Sequence, residues 1–283
     1  MMVTMNSANL LALGAILLWA SLATLGVSLA HVPPFLLTGL ALLVGSLLAV
    51  PLARKNLGAL WRVRPGTLLL GVYGLFGFHF LLFLALRHAP PVEANLVNYL
   101  WPLGIVLLAP VFLPGLHLHA NHVVAASVGF AGAALAITGG QPPTQGLAWG
   151  YLPAAGSAFV WASYSLLTRR VPAFPTAAIG LFGLVSGMLS LVCHGLLETG
   201  LTLTPRDLLL IGLLGAGPLG AAFYLWDAAL KRGDARQIGV LSFLTPLLST
   251  LMLLAWRGER PSPAIGVAAL MIVGAAILGT RAR

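Results

Sequence analysis

The sequence predicts an all-α integral membrane protein of ten transmembrane helices, built as two inverted five-helix repeats (5+5). Three observations carry this. Hydrophobic residues make up 59% of the 283 and charged residues 7%, against about 25% charged in an ordinary soluble domain. Residues 1–53 and 94–168 contain no Lys, Arg, Asp or Glu, so the solvent for most of the chain is lipid. The chain also repeats itself at half its length. Trp19-Ala20-Ser21 returns as Trp161-Ala162-Ser163, Tyr99-Leu100-Trp101-Pro102-Leu103 as Phe243-Leu244-Thr245-Pro246-Leu247, and Gly132-Ala133-Ala134 as Gly274-Ala275-Ala276, 142 to 144 residues on. Backbone polar groups in lipid must be satisfied internally, by helices or a closed barrel. The apolar runs are continuous, without the alternation of barrel strands.

The first run, 8–29, is longer than a signal-peptide core and lacks a basic leader, so it is read as a retained span. Val32-Pro33-Pro34 ends it, and a second helix is predicted over 34–53. The basic stretch from Arg54 to Arg64 leads to a third over 66–86. Arg87-His88-Ala89-Pro90-Pro91 leads to a fourth over 91–112, and Pro114-Gly115 precedes a fifth over 121–138. Gly139-Gly140-Gln141-Pro142-Pro143 closes the first half, giving repeat units 1–140 and 141–283. The second half reads as 146–167, 175–197, 207–230, 236–256 and 262–280. Its breaks are Arg169-Arg170-Val171-Pro172, Thr204-Pro205-Arg206, Lys231-Arg232-Gly233-Asp234 and Arg257 to Pro261. Each run approaches the ~20 apolar residues a span needs, and proline and glycine mark the interruptions.

Five crossings is an odd number, so the second unit enters the bilayer upside down relative to the first. The N-terminus, the even-to-odd loops and the C-terminus carry eleven Lys and Arg, the opposite loops four. By the positive-inside rule both termini lie in the cytoplasm, with the chain multi-pass in the inner (plasma) membrane. The net charge of +9 sits in short clusters between apolar runs and forms no basic patch for nucleic acid. Cys193, the one cysteine, cannot form an internal disulfide.

The absences exclude several classes. No Gly-x-x-x-x-Gly-Lys-Ser/Thr loop is present for ATP, and no His-Glu-x-x-His. Gly183-Leu184-Val185-Ser186-Gly187 has the wrong spacing for a nucleophile elbow. No channel filter is present. Six acidic residues, mostly near helix ends, leave little for a paired-carboxylate enzyme. His117, His119 and His122 lack accompanying Cys or carboxylate, and a solvent-facing loop is the reading over a metal site. No cofactor and no metal are expected.

Polar groups inside the membrane are costly and mark pathways. His79 stands mid-way along the third helix. It is read either as a group that changes charge near neutral pH or as a neutral ring bonded to a nearby carbonyl. It is also the midplane candidate for proton coupling, which facilitated exchange would not need. In the fourth helix Asn95, Asn98 and Trp101 share a face, with Tyr99 one turn from Asn95. Amides can bond the polar end of an amino acid and rings can stack on its side chain. Pro102 removes a donor near the Asn98 carbonyl, and Pro246 does likewise near Ser242. Trp161, Ser163 and Tyr164 are far enough inside the sixth helix to line a cavity. Gly77, Pro102 and Pro246 are read as hinges, within glycine-rich stretches at 71–77 and 212–220 and the two helix breaks. Asp227 and Lys231 are read as a helix-surface ion pair, and Glu93 as a solvated carboxylate at a helix N-terminus. Ala125-x-x-x-Gly129 and Ala264-x-x-x-Ala268 are small-residue packing faces.

The five-plus-five pattern, the Trp-Ala-Ser early in each half and the Leu-x-Pro in helices four and nine resemble the drug/metabolite transporter superfamily, EamA type. The helix-four stretch Asn95-Leu96-Val97-Asn98-Tyr99-Leu100-Trp101-Pro102, with His79, is similar to the bacterial amino-acid exporters of that superfamily. The resemblance covers the whole chain. It implies a secondary exporter of amino acids, aromatic ones included, working by alternating access through a central cavity. The expected partners are a small-molecule substrate and membrane lipid, with a single chain as the working unit and a dimer allowed. The alternatives are export of nucleosides, amphipathic drugs or other metabolites, and an integral-membrane enzyme acting on a lipid head group.

Overall fold

A computed structural model describes residues 6–54, 58, 63–142 and 148–281. Lys55, Arg62 and Arg283, counted above toward the basic face, and Pro143 of the mid-chain turn lie outside the described residues. The described residues form helices and connecting turns, with no strand among them. In chain order the helical segments are α1 (Ser7–Ser28), α2 (Pro34–Ala53), α3 (Pro65–His88), α4 (Pro91–Phe112), α5 (Ala120–Thr138), α6 (Tyr151–Leu167), α7 (Thr176–Leu197), α8 (Pro205–Arg232), α9 (Ala235–Arg257) and α10 (Pro263–Arg281).

Eight of these, α1 to α5 and α7 to α9, are long and apolar enough to cross a membrane. The chain is a multi-pass membrane protein. Leu69, Val111, Leu152, Leu196 and Leu270 turn outward, each more than two-thirds exposed, as a lipid solvent allows. α10 is apolar over Pro263–Gly279. α6 has 17 residues, eleven of them buried, including Ser157, Ser163 and Ser165. Protein rather than lipid surrounds most of this helix, which relaxes the demand for a purely apolar sequence.

Prolines at the first helical position start α2, α3, α4, α8 and α10. There the missing N–H would have had no intrahelical partner anyway. Thr204 and Asp207 form a reciprocal cap on α8, with Thr204 N–H donating to Asp207 Oδ2 at 2.9 Å and Asp207 N–H to Thr204 Oγ1 at 3.2 Å. Gly139 and Gly258 end α5 and α9 at positive φ.

The long helices are not uniform. α3 and α8 each contain one π-helical turn, at Tyr73–Gly77 and Gly217–Ala221. α4 and α9 each break in the middle, at 99–100 and 242–243. α1 pauses at Ser21.

Packing joins the two halves of the chain. α5 lies along α10 and α2 along α7, while α1 packs on α8 and α6 on α3. The small-residue face of α5 is buried as expected: Gly129 lies under Phe243, and Gly132 faces Ile272 and Met271. Gly45 of α2 presses on the α8 backbone, where an added Cβ would come 2.7 Å from the Leu219 carbonyl oxygen. Backbone cannot move aside there as a flexible side chain could. Gly45→Val is therefore expected to cost ~1–3 kcal/mol, the usual range for overpacking. Its midpoint of thermal unfolding in detergent, measured beside that of Gly266→Val, should fall clearly, because Gly266 has open space around it.

Candidate functional site

Four tryptophans meet at the centre of the bundle, two from each half of the chain: Trp19 of α1, Trp101 of α4, Trp161 of α6 and Trp226 of α8. The Trp19 ring centroid lies 5.2 Å from Trp226, 5.7 Å from Trp161 and 6.2 Å from Trp101, and Trp101 lies 5.6 Å from Trp226. Most pairs meet edge-on or tilted, the arrangements aromatic quadrupoles favour. Phe78 and Phe223 pack on Trp161 at 5.4 and 5.6 Å, and Tyr164 at 5.3 Å. All four indoles are buried.

Two indole N–H groups find partners that tie the cluster to its helices. Trp226 Nε1–H donates to Ser165 Oγ at 3.1 Å, fixing α8 against α6. Trp19 Nε1–H donates to the Pro218 carbonyl at 3.1 Å, inside the π-turn of α8. A π-turn shifts backbone bonding from i+4 to i+5, and here one of its carbonyls serves the cluster.

His79 is buried beside this cluster, with ring centroids 5.1 Å from Phe78 and 6.4 Å from Phe223. Its Nδ1 lies 2.6 Å from the Leu75 carbonyl. Because a carbonyl only accepts, Nδ1 carries the hydrogen. Of the two sequence readings, this is the geometry of the carbonyl-bonded ring. Gly77 ends the π-turn two residues earlier. Gly74, in the same turn, lies under the Tyr164 ring, which an added Cβ would strike.

Trp101, Trp161, His79 and Tyr164 thus lie in or beside one aromatic cluster, and the other polar residues are placed elsewhere. Asn98 is buried, and its Oδ1 accepts from Ser157 Oγ–H at 2.8 Å on the α4–α6 seam. Asn95 and Tyr99 are half-buried near the break in α4. Ser163 Oγ–H donates to the Phe159 carbonyl at 2.7 Å and meets the Tyr73 hydroxyl at 2.8 Å. Ser242 Oγ–H donates to the Ile238 carbonyl at 2.8 Å. Pro102 and Pro246 sit in the first turn after each break. The Ser242 carbonyl, expected to be left free by Pro246, accepts the Thr245 N–H at 3.0 Å through a tighter turn.

Other sequence expectations are corrected. Asp227 is buried at 3% exposure and accepts from Lys231 Nζ and from Thr176 Oγ1, both at 2.6 Å, so the pair is not a surface one. Glu93 is buried, not solvated. His119 and His122 close the start of α5, where His119 N–H donates to His122 Nδ1 at 3.3 Å. Sequence reasoning also passed over Trp226 and Phe78. Their signal was a further set of rings within the helical segments.

Against known proteins, the pattern of the EamA-like transporter family matches twice, over residues 6–138 and 148–281. The chain belongs to the EamA-like transporter family. It is a transporter and not an enzyme. This transporter is 43% identical over 281 residues to the aromatic amino acid exporter YddG of Ancylobacter novellus, covering 97% of each chain. It is 27% identical over 290 residues to the Escherichia coli K12 aromatic amino acid exporter YddG, again covering 97% of each. It is 28% identical over 231 residues to a probable terminal-alkyne amino-acid exporter of Streptantibioticus cattleyicolor, covering 77% of this chain and 75% of that one. A crystal structure of a protein 42% identical in sequence superimposes with a TM-score of 0.91, covering 97% of this chain and 96% of the other.

The Asn98–Ser157 bond crosses the seam behind the tryptophans. In a double-mutant cycle of Asn98→Ala and Ser157→Ala, the coupling energy from thermal or chemical unfolding in detergent should be about 0.6 kcal/mol, the average for interhelical side-chain bonds in membranes.

Proposed function

We propose that this transporter exports amino acids, aromatic ones among them, from the cytoplasm by alternating access. The observation that carries the reading is the central cluster of four tryptophans, drawn in equal number from the two halves of the chain. Flat rings bind the face of an aromatic side chain, and their electron-rich faces attract an ammonium group. Here the rings pack on one another, so a ligand enters only as they part. The names of the relatives support the substrate class: two are aromatic amino acid exporters and a third is a probable amino-acid exporter.

On this reading the bundle has ten spans, with α6 and α10 joining the eight of clear length and apolarity. Units 1–140 and 141–283 are inverted repeats, and the working unit is one chain, since a single chain supplies the whole cluster. Three features support the division. The family pattern matches once in each half. The first helix of each half packs on the third helix of the other, α1 on α8 and α6 on α3. The π-turns and the mid-helix breaks fall in the third and fourth helices of both halves. The distribution of Lys and Arg, eleven against four, supports cytoplasmic termini in the inner membrane. His79, Trp101, Trp161 and Tyr164 contact the substrate or flank it. Asn95, Asn98, Tyr99, Ser163 and Ser242 line the path exposed as the breaks flex, and Gly77, Pro102 and Pro246 are the hinges.

Proteoliposomes loaded with radiolabelled tryptophan test this. Trp101→Ala and His79→Ala should each lower efflux about tenfold, the effect of losing ~1.4 kcal/mol of contact, with folded yield unchanged. Unaltered efflux in both would remove the site assignment. Unlabelled phenylalanine should compete, and competition by a nucleoside alone would point to a different substrate class.

A further inference from the structure

Opposite faces of the bundle carry matching ionic contacts that the tryptophan cluster does not use. Arg87 and Lys231 occupy the same place in the two halves. They are 144 residues apart, each follows a leucine, and each stands near the end of the half-helix beyond a π-turn, Phe78–His88 and Ala222–Arg232. Both reach across to the start of the second helix of a repeat, and both lie over a phenylalanine there.

At one face Arg87 Nη2 lies 3.2 Å from Glu198 Oε1 at the end of α7, and its guanidinium is 5.8 Å from the Phe35 ring centre. Glu198 is a four-way junction. It also accepts the N–H groups of Phe35 at 3.0 Å and Leu36 at 3.3 Å, and lies 2.9 Å from His194 Nδ1. It thereby clamps the start of α2 to the end of α7 whether or not Arg87 is attached. At the opposite face Lys231 Nζ donates to the Phe174 carbonyl at 2.9 Å and sits 3.8 Å from the Phe174 ring centre. Asp227, on the same half-helix, accepts from Thr176 at the start of α7. In each case the cation, with its aromatic seat, joins a half-helix to the α2–α7 pair.

We propose that Arg87 and Lys231 are the two latches of the transport cycle, each holding the half-helix beyond its π-turn and so closing one face. Releasing Arg87 lets Phe78–His88 swing about Tyr73–Gly77, and releasing Lys231 lets Ala222–Arg232 swing about Gly217–Ala221. Phe78, His79, Phe223 and Trp226 ride on these two half-helices, so either swing also opens the aromatic cluster toward that face. Both latches are made in this structure, and the rings are closed on one another. The proposal rests on the alternating-access reading above, and π-turns at functional positions are its mechanical precedent.

Weakening one latch shifts the population toward opening on its own face. The test uses a reporter cysteine, Ser163→Cys, in a Cys193→Ala chain, so that no other thiol is present. Labelling by a membrane-impermeant maleimide is timed in right-side-out and inverted vesicles. Arg87→Gln should raise the rate from the Arg87 face roughly five- to tenfold, a usual size for conformational coupling, and lower it from the other. Lys231→Gln should do the reverse. Phe35→Leu and Phe174→Leu remove the aromatic seats without changing a charge and should give the same two opposite shifts, which covers a charge variant that fails to fold. Wild-type reporter labelling from both faces, with unmoved or same-direction rates in the variants, overturns the latches alone. Labelling of the wild-type reporter from one face only overturns the alternating-access reading, and the latches with it.

Discussion

Lipid offers the peptide backbone no hydrogen-bond partner, and the arrangement of this transporter follows from that constraint. A continuous helix meets it at no cost, and where the helices here are interrupted, substitute partners stand close by. The Pro218 carbonyl in the π-turn of α8 accepts the Trp19 indole. The Ser242 carbonyl at the break in α9 accepts from Thr245. Both of these interruptions are tied to something nearby, and in the case of Pro218 the tie is part of the aromatic cluster. The π-turn and the aromatic cluster are joined by a single hydrogen bond.

Much of this architecture was legible in the sequence, for a reason that can be named. Helix starts coincide with Pro34, Pro65, Pro91, Pro205 and Pro263, and proline at a helix start reflects local geometry that needs no knowledge of neighbours. Trp101, Trp161, His79 and Tyr164 were legible because a ring bearing a polar N–H or O–H, deep within an apolar segment, must turn from lipid toward the bundle interior. The π-turns were not. Their glycines were visible at 71–77 and 212–220, but a change in hydrogen-bond register has no residue signature of its own. Asp227 was misread because its burial depends on Thr176, 51 residues away, and sequence spacing displays only its i+4 partner Lys231.

Comparing the two stretches that match the family pattern separates features that recur from features that differ. The π-turns, the broken fourth helices, the prolines at 102 and 246 and the terminal cations Arg87 and Lys231 recur in both. Several other positions do not: His79 corresponds to Phe223, Asn98 to Ser242 and Trp101 to Thr245. Even the recurring cations are held differently, Arg87 by a carboxylate from another helix and Lys231 by one on its own. The backbone irregularities and the terminal cations recur, while these aromatic and polar side chains differ.

The exchange of partners between halves bears on how the chain is made. Trp19 is paired with a carbonyl 199 residues later, so its indole N–H has no native acceptor until α8 has left the ribosome. At ~5–20 residues per second that delay is on the order of 10–40 s, during which α6 and α7 are made and can cover α3 and α2 while α1 still waits for α8. Folding of the first half is therefore not complete at its own C-terminus. A nascent chain halted near residue 140 would present its tryptophans and small-residue seams to any neighbouring helix, making the second half the first half's chaperone as well as its counterpart.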